Sequence, residues 1–166
     1  MVDKDGNKSK GLNSNELWSL FLSKGGTVRQ LRSISDEHLE SIYQKGYGHF
    51  ETGHYKEALT IFRYLAIMDH RESRYFLAMG LSLSHLNQDS AAIAPLEHAT
   101  RCDSHDPRAT LAMVECFIKL KNRRLAELAL RDAARTLKSV KGWTEERAIA
   151  AQLQNFLTGE AVGGKQ

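Results

Sequence analysis

From Leu39 to Val140 the apolar positions recur at three- and four-residue intervals, the mark of helices with one buried face. The stripes are interrupted by short polar turns, and the whole layout returns in register. Small residues fall at Ala58, Ala92 and Ala126, a spacing of 34. Bulky apolar residues follow four positions later at Phe62, Leu96 and Leu130, and the next seam position gives Leu65, Ala99 and Ala133. Earlier in each unit Ile42, Phe76 and Thr110 align, as do Gly46, Gly80 and Val114. Residues four apart share a helix face, so a small residue that admits a neighbouring helix sits beside a large one that fills the gap. Each unit therefore reads as two antiparallel helices. Gly53, Asn87 and Lys121 occupy the turn between them, where a left-handed backbone is favoured, and lysine is the least suited of the three.

A helix–turn–helix of this length and pattern resembles the tetratricopeptide repeat, over residues 39–72, 73–106 and 107–140. The expected fold is all-α: a superhelix of three such repeats between an N-terminal helix and a C-terminal capping helix. His70 and Ser104 stand where the repeat usually ends in proline. Pro107 instead opens the third unit with Asp106 as its N-cap, and Pro95, inside a helix, removes one backbone bond and bends it.

Residues 1–11 and 159–166 read as polar, flexible tails, and 12–34 as an N-terminal helical segment. Asn13 and Glu16 form a capping box, and Gly25-Gly26 ends the helix. That helix is apolar on too many sides to stand alone, so Leu17, Trp18 and Phe21 are candidates for dimerisation. Ser35 caps the first repeat helix, within a repeat region of 35–140. Thr144 caps a final helix in 141–158, whose Ala148, Ile149, Leu153 and Phe156 are expected to cover the last repeat.

Composition changes this picture little. The net charge of +3 demands neither nucleic acid nor a membrane surface. The one basic knot, Lys119, Lys121, Arg123 and Arg124, lies in a turn without interleaved aromatics and reads as solvated rather than phosphate-binding. Cys102 and Cys116 form no metal or disulfide pattern, and Cys116 reads as core. The seven histidines show no metal-ligand spacing, and no nucleotide-binding glycine loop appears. No cofactor, metal or enzymatic activity is expected, and no apolar run is long enough for membrane insertion.

Function is then expected on the concave face of the superhelix, which in this repeat class is lined by the first helix of each unit. The lining positions are Tyr43, Tyr47 and Phe50; Leu77, Leu81 and Ser84; Leu111, Glu115 and Ile118. An apolar strip of this kind suits an extended peptide, with Arg74, Arg108 and Ser84 available to its backbone. Repeat proteins that clamp an acidic C-terminus carry Lys and Asn on this face. Tyr43, Tyr47, Ala78, Arg108 and Ala112 take those positions here, and only Arg108 is suitable.

The stretch "SKGGTVRQLRSISDEHLESIYQKGYGHFETGHYKEALTIFRYLAIMDHRESRYFLAMG" resembles the class II chaperones of bacterial type III secretion. The shared marks are the Gly-Gly-Thr exit of the N-terminal helix, the Ile-Ser before the first repeat, the Gly-Tyr pair, "F..L...D" and "RYFL..G". The resemblance spans roughly Leu17 to Phe156 and is densest from Gly25 to Gly80. It implies a bacterial cytoplasmic chaperone that is a homodimer when free. Its clients would be hydrophobic translocator proteins, kept soluble and apart before export by one segment held in the groove. Some members of that class also co-activate transcription with a regulator. The alternatives are a generic repeat scaffold, a chaperone for another secretion-apparatus subunit such as a needle protein, and a nucleic-acid-associated regulator using Lys119 to Arg124.

Overall fold

A computed structural model describes residues 14–159, with side chains from residue 19 onward. The expected capping box at Asn13/Glu16 and both tails lie outside the described residues. Helix α1 spans Ser14–Ser23, and α2 is a single turn, Val28–Leu31. Three hairpins follow: α3 (Asp36–Glu51) with α4 (Tyr55–Met68), α5 (Ser73–His85) with α6 (Asp89–Cys102), and α7 (Arg108–Lys119) with α8 (Arg123–Ser139). Helix α9 (Thr144–Thr158) closes the stack. Each helix packs on its sequence neighbours, and the first helices of successive hairpins also touch, α3 on α5 and α5 on α7. The described residues thus form an all-α superhelix of three tetratricopeptide-type repeats.

The 34-residue register places the core. Ala58, Ala92 and Ala126 have no exposed surface, and neither do Phe62 and Leu96. A Cβ built on Gly80 would lie 2.5 Å from Leu96 Cγ, and one on Gly46 would lie 2.9 Å from Phe62 Cε1. The two glycines therefore set how closely the paired helices approach. Val114, fully buried, fills the equivalent place in the third repeat. Helix α6 runs through Pro95 without interruption, and that proline is buried.

The hairpin turns are left-handed where the sequence requires it, with φ of +79° at Gly53, +58° at Asn87 and +57° at Lys121. A lysine in this region is strained by about 1–2 kcal/mol. Lys121→Gly should therefore raise stability by about 0.5–1 kcal/mol in urea unfolding, after allowing for the extra freedom of an unfolded glycine. An unchanged midpoint would show that the turn is not strained.

At the N-terminal end the Phe21 ring lies over Gly26, where an added Cβ would meet it at 2.3 Å. The α1 exit is thus folded back on itself, with Gly25 at φ +79°. Ser35 accepts the His38 amide at 3.2 Å and caps α3 as expected. Arg29 pairs with Asp36 and Asp69, and Arg71 donates to the Gly25 carbonyl at 3.2 Å, tying this segment to the first repeat.

The cap departs from expectation in two ways. Thr144 is the first helical residue of α9 and its side chain caps nothing; Trp143, at φ +53°, precedes it. The packed stripe is also turned by one residue. Leu157 is buried, and Ala150 and Leu153 join it against α7 and α8, while Phe156 is 67% exposed and Ile149 faces elsewhere. Two arginines hold α9 in this setting. Arg147 donates to the Leu137, Val140 and Gly142 carbonyls, and Arg123 donates to the Leu157 carbonyl. Both use orphan carbonyls at or just beyond helix ends as acceptors.

Candidate functional site: the concave groove

The repeated acid–x–Arg stretches at Glu72–Arg74 and Asp106–Arg108 build the polar edge of the groove. Each carboxylate accepts the backbone amide two residues on, at 3.3 Å for Arg74 and 2.9 Å for Arg108, and so caps α5 or α7. The same carboxylate grips the following guanidinium, Glu72 Oε1 to Arg74 Nε at 3.1 Å and Asp106 Oδ2 to Arg108 Nη2 at 2.6 Å. Arg74 also reaches Glu40, its counterpart one repeat earlier, at 3.2 Å. The two arginines are therefore fixed by the helix caps and directed at the concave face.

Between them lies a groove of about 330 Å³. Tyr43, Tyr47 and Phe50 of α3 form one wall. Leu77, Ala78 and Leu81 of α5, with Leu111, Ala112 and Glu115 of α7, form the floor and the opposite side. Glu146 and Ile149 of α9 close the far end. The α3 aromatics make a ladder, with ring centroids 6.3 Å apart for Tyr43–Tyr47 and 6.4 Å for Tyr47–Phe50. Tyr43 is rooted in the core against Phe62 and Tyr75, whereas Tyr47 is 43% exposed. Phe50 is propped from behind by Tyr55 and His85, which stack on each other at 4.5 Å. Burial pushes the Tyr43 phenol above its usual value, with the nearby Arg74 charge opposing it. Tyr43 is therefore an uncharged wall across the neutral pH range.

No protein-family profile matches the chain. The low calcium response locus protein H of Yersinia pestis is 31% identical over 99 residues, 60% of this chain and 59% of that protein. The chain thus matches curated relatives over about three fifths of their length. A type III secretion complex from Aeromonas hydrophila aligns with a TM-score of 0.79 at 29% identity, over 86% of this chain and 93% of that one. The Yersinia enterocolitica translocator chaperone SycD aligns with 0.74 at 26% identity, over 81% and 98%. PcrH, in complex with the chaperone-binding region of PopB, aligns with 0.66 at 26% identity, over 73% and 95%. The chain resembles the type III secretion translocator chaperones in both sequence and fold. The relatives whose function is described are chaperones rather than enzymes.

Nine residues expected in the groove of such a chaperone are brought together here: Tyr43, Tyr47, Phe50, Arg74, Leu77, Leu81, Arg108, Leu111 and Glu115. Two others are not among its lining residues. Ser84 is buried at the end of α5; it donates to Asp89 at 2.8 Å and accepts from Lys119 Nζ at 2.9 Å, fastening the second repeat to the third. Ile118 lines a separate small hollow with Lys121, Arg123, Phe156 and Leu157. Arg74 has little left to offer a ligand, because Glu72 and Glu40 take its donors and its guanidinium lies 5.1 Å from the Tyr43 ring centre. Of the basic knot, Lys119 pairs with Asp89 and Arg123 with Glu127, so both charges have partners within the chain. Glu146 and Ile149 were not anticipated in the groove, because α9 lies outside the repeat and its rotation depends on the 140–143 loop.

Of the candidate dimerisation residues, Leu17 and Trp18 lie on α1 with side chains outside the described part, and Phe21 is half-buried. Cys116 is fully buried in the core, where burial pushes its thiol up. Among the described residues no group of acidic, histidine or cysteine side chains is arranged to hold a metal, and no helix is long and apolar enough to cross a membrane.

Proposed function

We propose that this protein is a cytoplasmic chaperone of a bacterial type III secretion system, and not an enzyme. It holds an extended apolar segment of a hydrophobic translocator in the concave groove and keeps that client soluble and apart from its partners before export. The observation that carries this reading is the open trough itself. Exposed Tyr47 and half-buried Leu81 and Phe50 form a contiguous apolar lining that a monomeric protein otherwise keeps covered. The relative PcrH, seen with the chaperone-binding region of PopB, supports the same use of the fold. As in the resemblance drawn from sequence, the free protein is a homodimer, with α1 as the contributing element. A transcriptional regulator is a further candidate partner.

Co-expression tests the reading. A hydrophobic translocator encoded beside this gene should move from the insoluble to the soluble fraction and co-purify with the chain. Solubility unaffected by the chain would favour a general interaction scaffold instead.

A further inference from the structure

The chain as a whole is basic, with a net charge of +3, yet its groove is not. Both guanidiniums on the lining are neutralised from behind by carboxylates that do not themselves line it. Arg108 is held by Asp106, and Arg74 by Glu72 and Glu40. Two carboxylates that do line the groove, Glu115 on α7 and Glu146 on α9, make no hydrogen bond or ion pair among the described residues. Arg108 feels the Glu146 charge at longer range, but its direct partner is Asp106, which is bonded to it through both oxygens. Two arginine charges in and around the groove therefore face five carboxylates, and the excess negative charge is concentrated at the third-repeat end. At the first-repeat end the lining residues of α3, Tyr43, Tyr47 and Phe50, are uncharged, and the one charged lining side chain beside them, Arg74, is paired with Glu72 and Glu40.

We propose that the segment held in the groove carries a lysine or arginine beside its apolar anchors, seated against Glu115 and Glu146. This inference rests on the groove being the client site, and it adds a direction to it. Apolar anchors lie on the α3 aromatics and the basic residue lies toward α9, so charge sets which end of the segment meets which repeat. Complementary charge contributes more to register and to rejection of wrong partners than to raw affinity. An acidic residue at the same place meets two carboxylates that have no direct ion-pair partner and is disfavoured.

Selection of random 12-residue peptides displayed on phage, against the immobilised full chain, tests this. On the wild-type protein the selected sequences should share apolar anchors, with lysine or arginine at one flank enriched about threefold or more over the unselected library. On the Glu115→Gln/Glu146→Gln variant the apolar anchors should persist and the basic enrichment should vanish. A selected lysine peptide should bind that variant about three- to tenfold more weakly at low salt, with the difference shrinking in about 1 M NaCl. Apolar anchors with no basic enrichment, or basic enrichment that survives in the double variant, would overturn the charge register while leaving the groove intact. Failure of the wild type to select any apolar motif would overturn the groove reading and this inference with it.

Discussion

Tyr47→Glu should abolish capture of a translocator segment while the helical circular dichroism and the unfolding temperature stay near those of the wild type. The tyrosine is 43% exposed and stands mid-ladder between Tyr43 and Phe50, so no core packing depends on it. Glutamate there places a charge in the apolar wall, and an occupant would have to desolvate it without a partner. Aromatic anchors at the centre of a binding surface typically contribute about 2 kcal/mol or more, so affinity should fall at least about 30-fold. Tyr47→Phe keeps the ring and should bind nearly normally. Wild-type capture by the glutamate variant would place the binding surface elsewhere on the superhelix.

Phe62→Ala should be the most damaging single change to stability, by about 3–5 kcal/mol. Phe62 has no exposed surface, packs against Tyr43 and is the side chain over which Gly46 closes. Its loss empties the seam between α3 and α4, and because Tyr43 rests on it, groove binding should weaken as well. Against a usual total of about 5–15 kcal/mol this is a large fraction. The control lies on the same helix. Ile67 is 64% exposed, and Ile67→Ala should change stability by no more than about 0.5 kcal/mol. Equal effects of the two substitutions in urea unfolding would show that the 34-residue register does not locate the core.

The repeat made most of this architecture legible from sequence. The triplet of alanines, the bulky residues four positions on and the left-handed turns are local consequences of two helices packing closely. They return at fixed spacing because each unit buries its face against the next. The groove followed wherever the repeat arithmetic applied to the interior of a first helix, as at Tyr43, Tyr47, Leu77, Leu81 and Leu111. It failed at the ends of α5 and α7, though not at the end of α3. Ser84 and Ile118 share the unit position of Phe50, but Ser84 is bonded to Asp89 and Lys119, and Ile118 turns toward α9. It was silent for α9, whose rotation is set by Trp143 in a left-handed conformation and by Arg147 on three main-chain carbonyls. Those contacts join residues with no repeat signature, so Glu146 and Ile149 entered the groove unannounced. The pairing of Arg74 with Glu40 spans 34 residues and is visible in sequence only once the repeat is drawn.

The central claim is that the client lies inside the superhelix, along the first helices of the repeats. Photo-crosslinking tests it most directly, with benzoylphenylalanine placed singly at Tyr47, at Leu81 and, on the outer face, at Ile67 of the chain co-expressed with its translocator. Crosslinks from positions 47 and 81 to one short client segment, with none from position 67, are the expected result. Strong crosslinking from position 67 with silence at 47 and 81 would contradict the account.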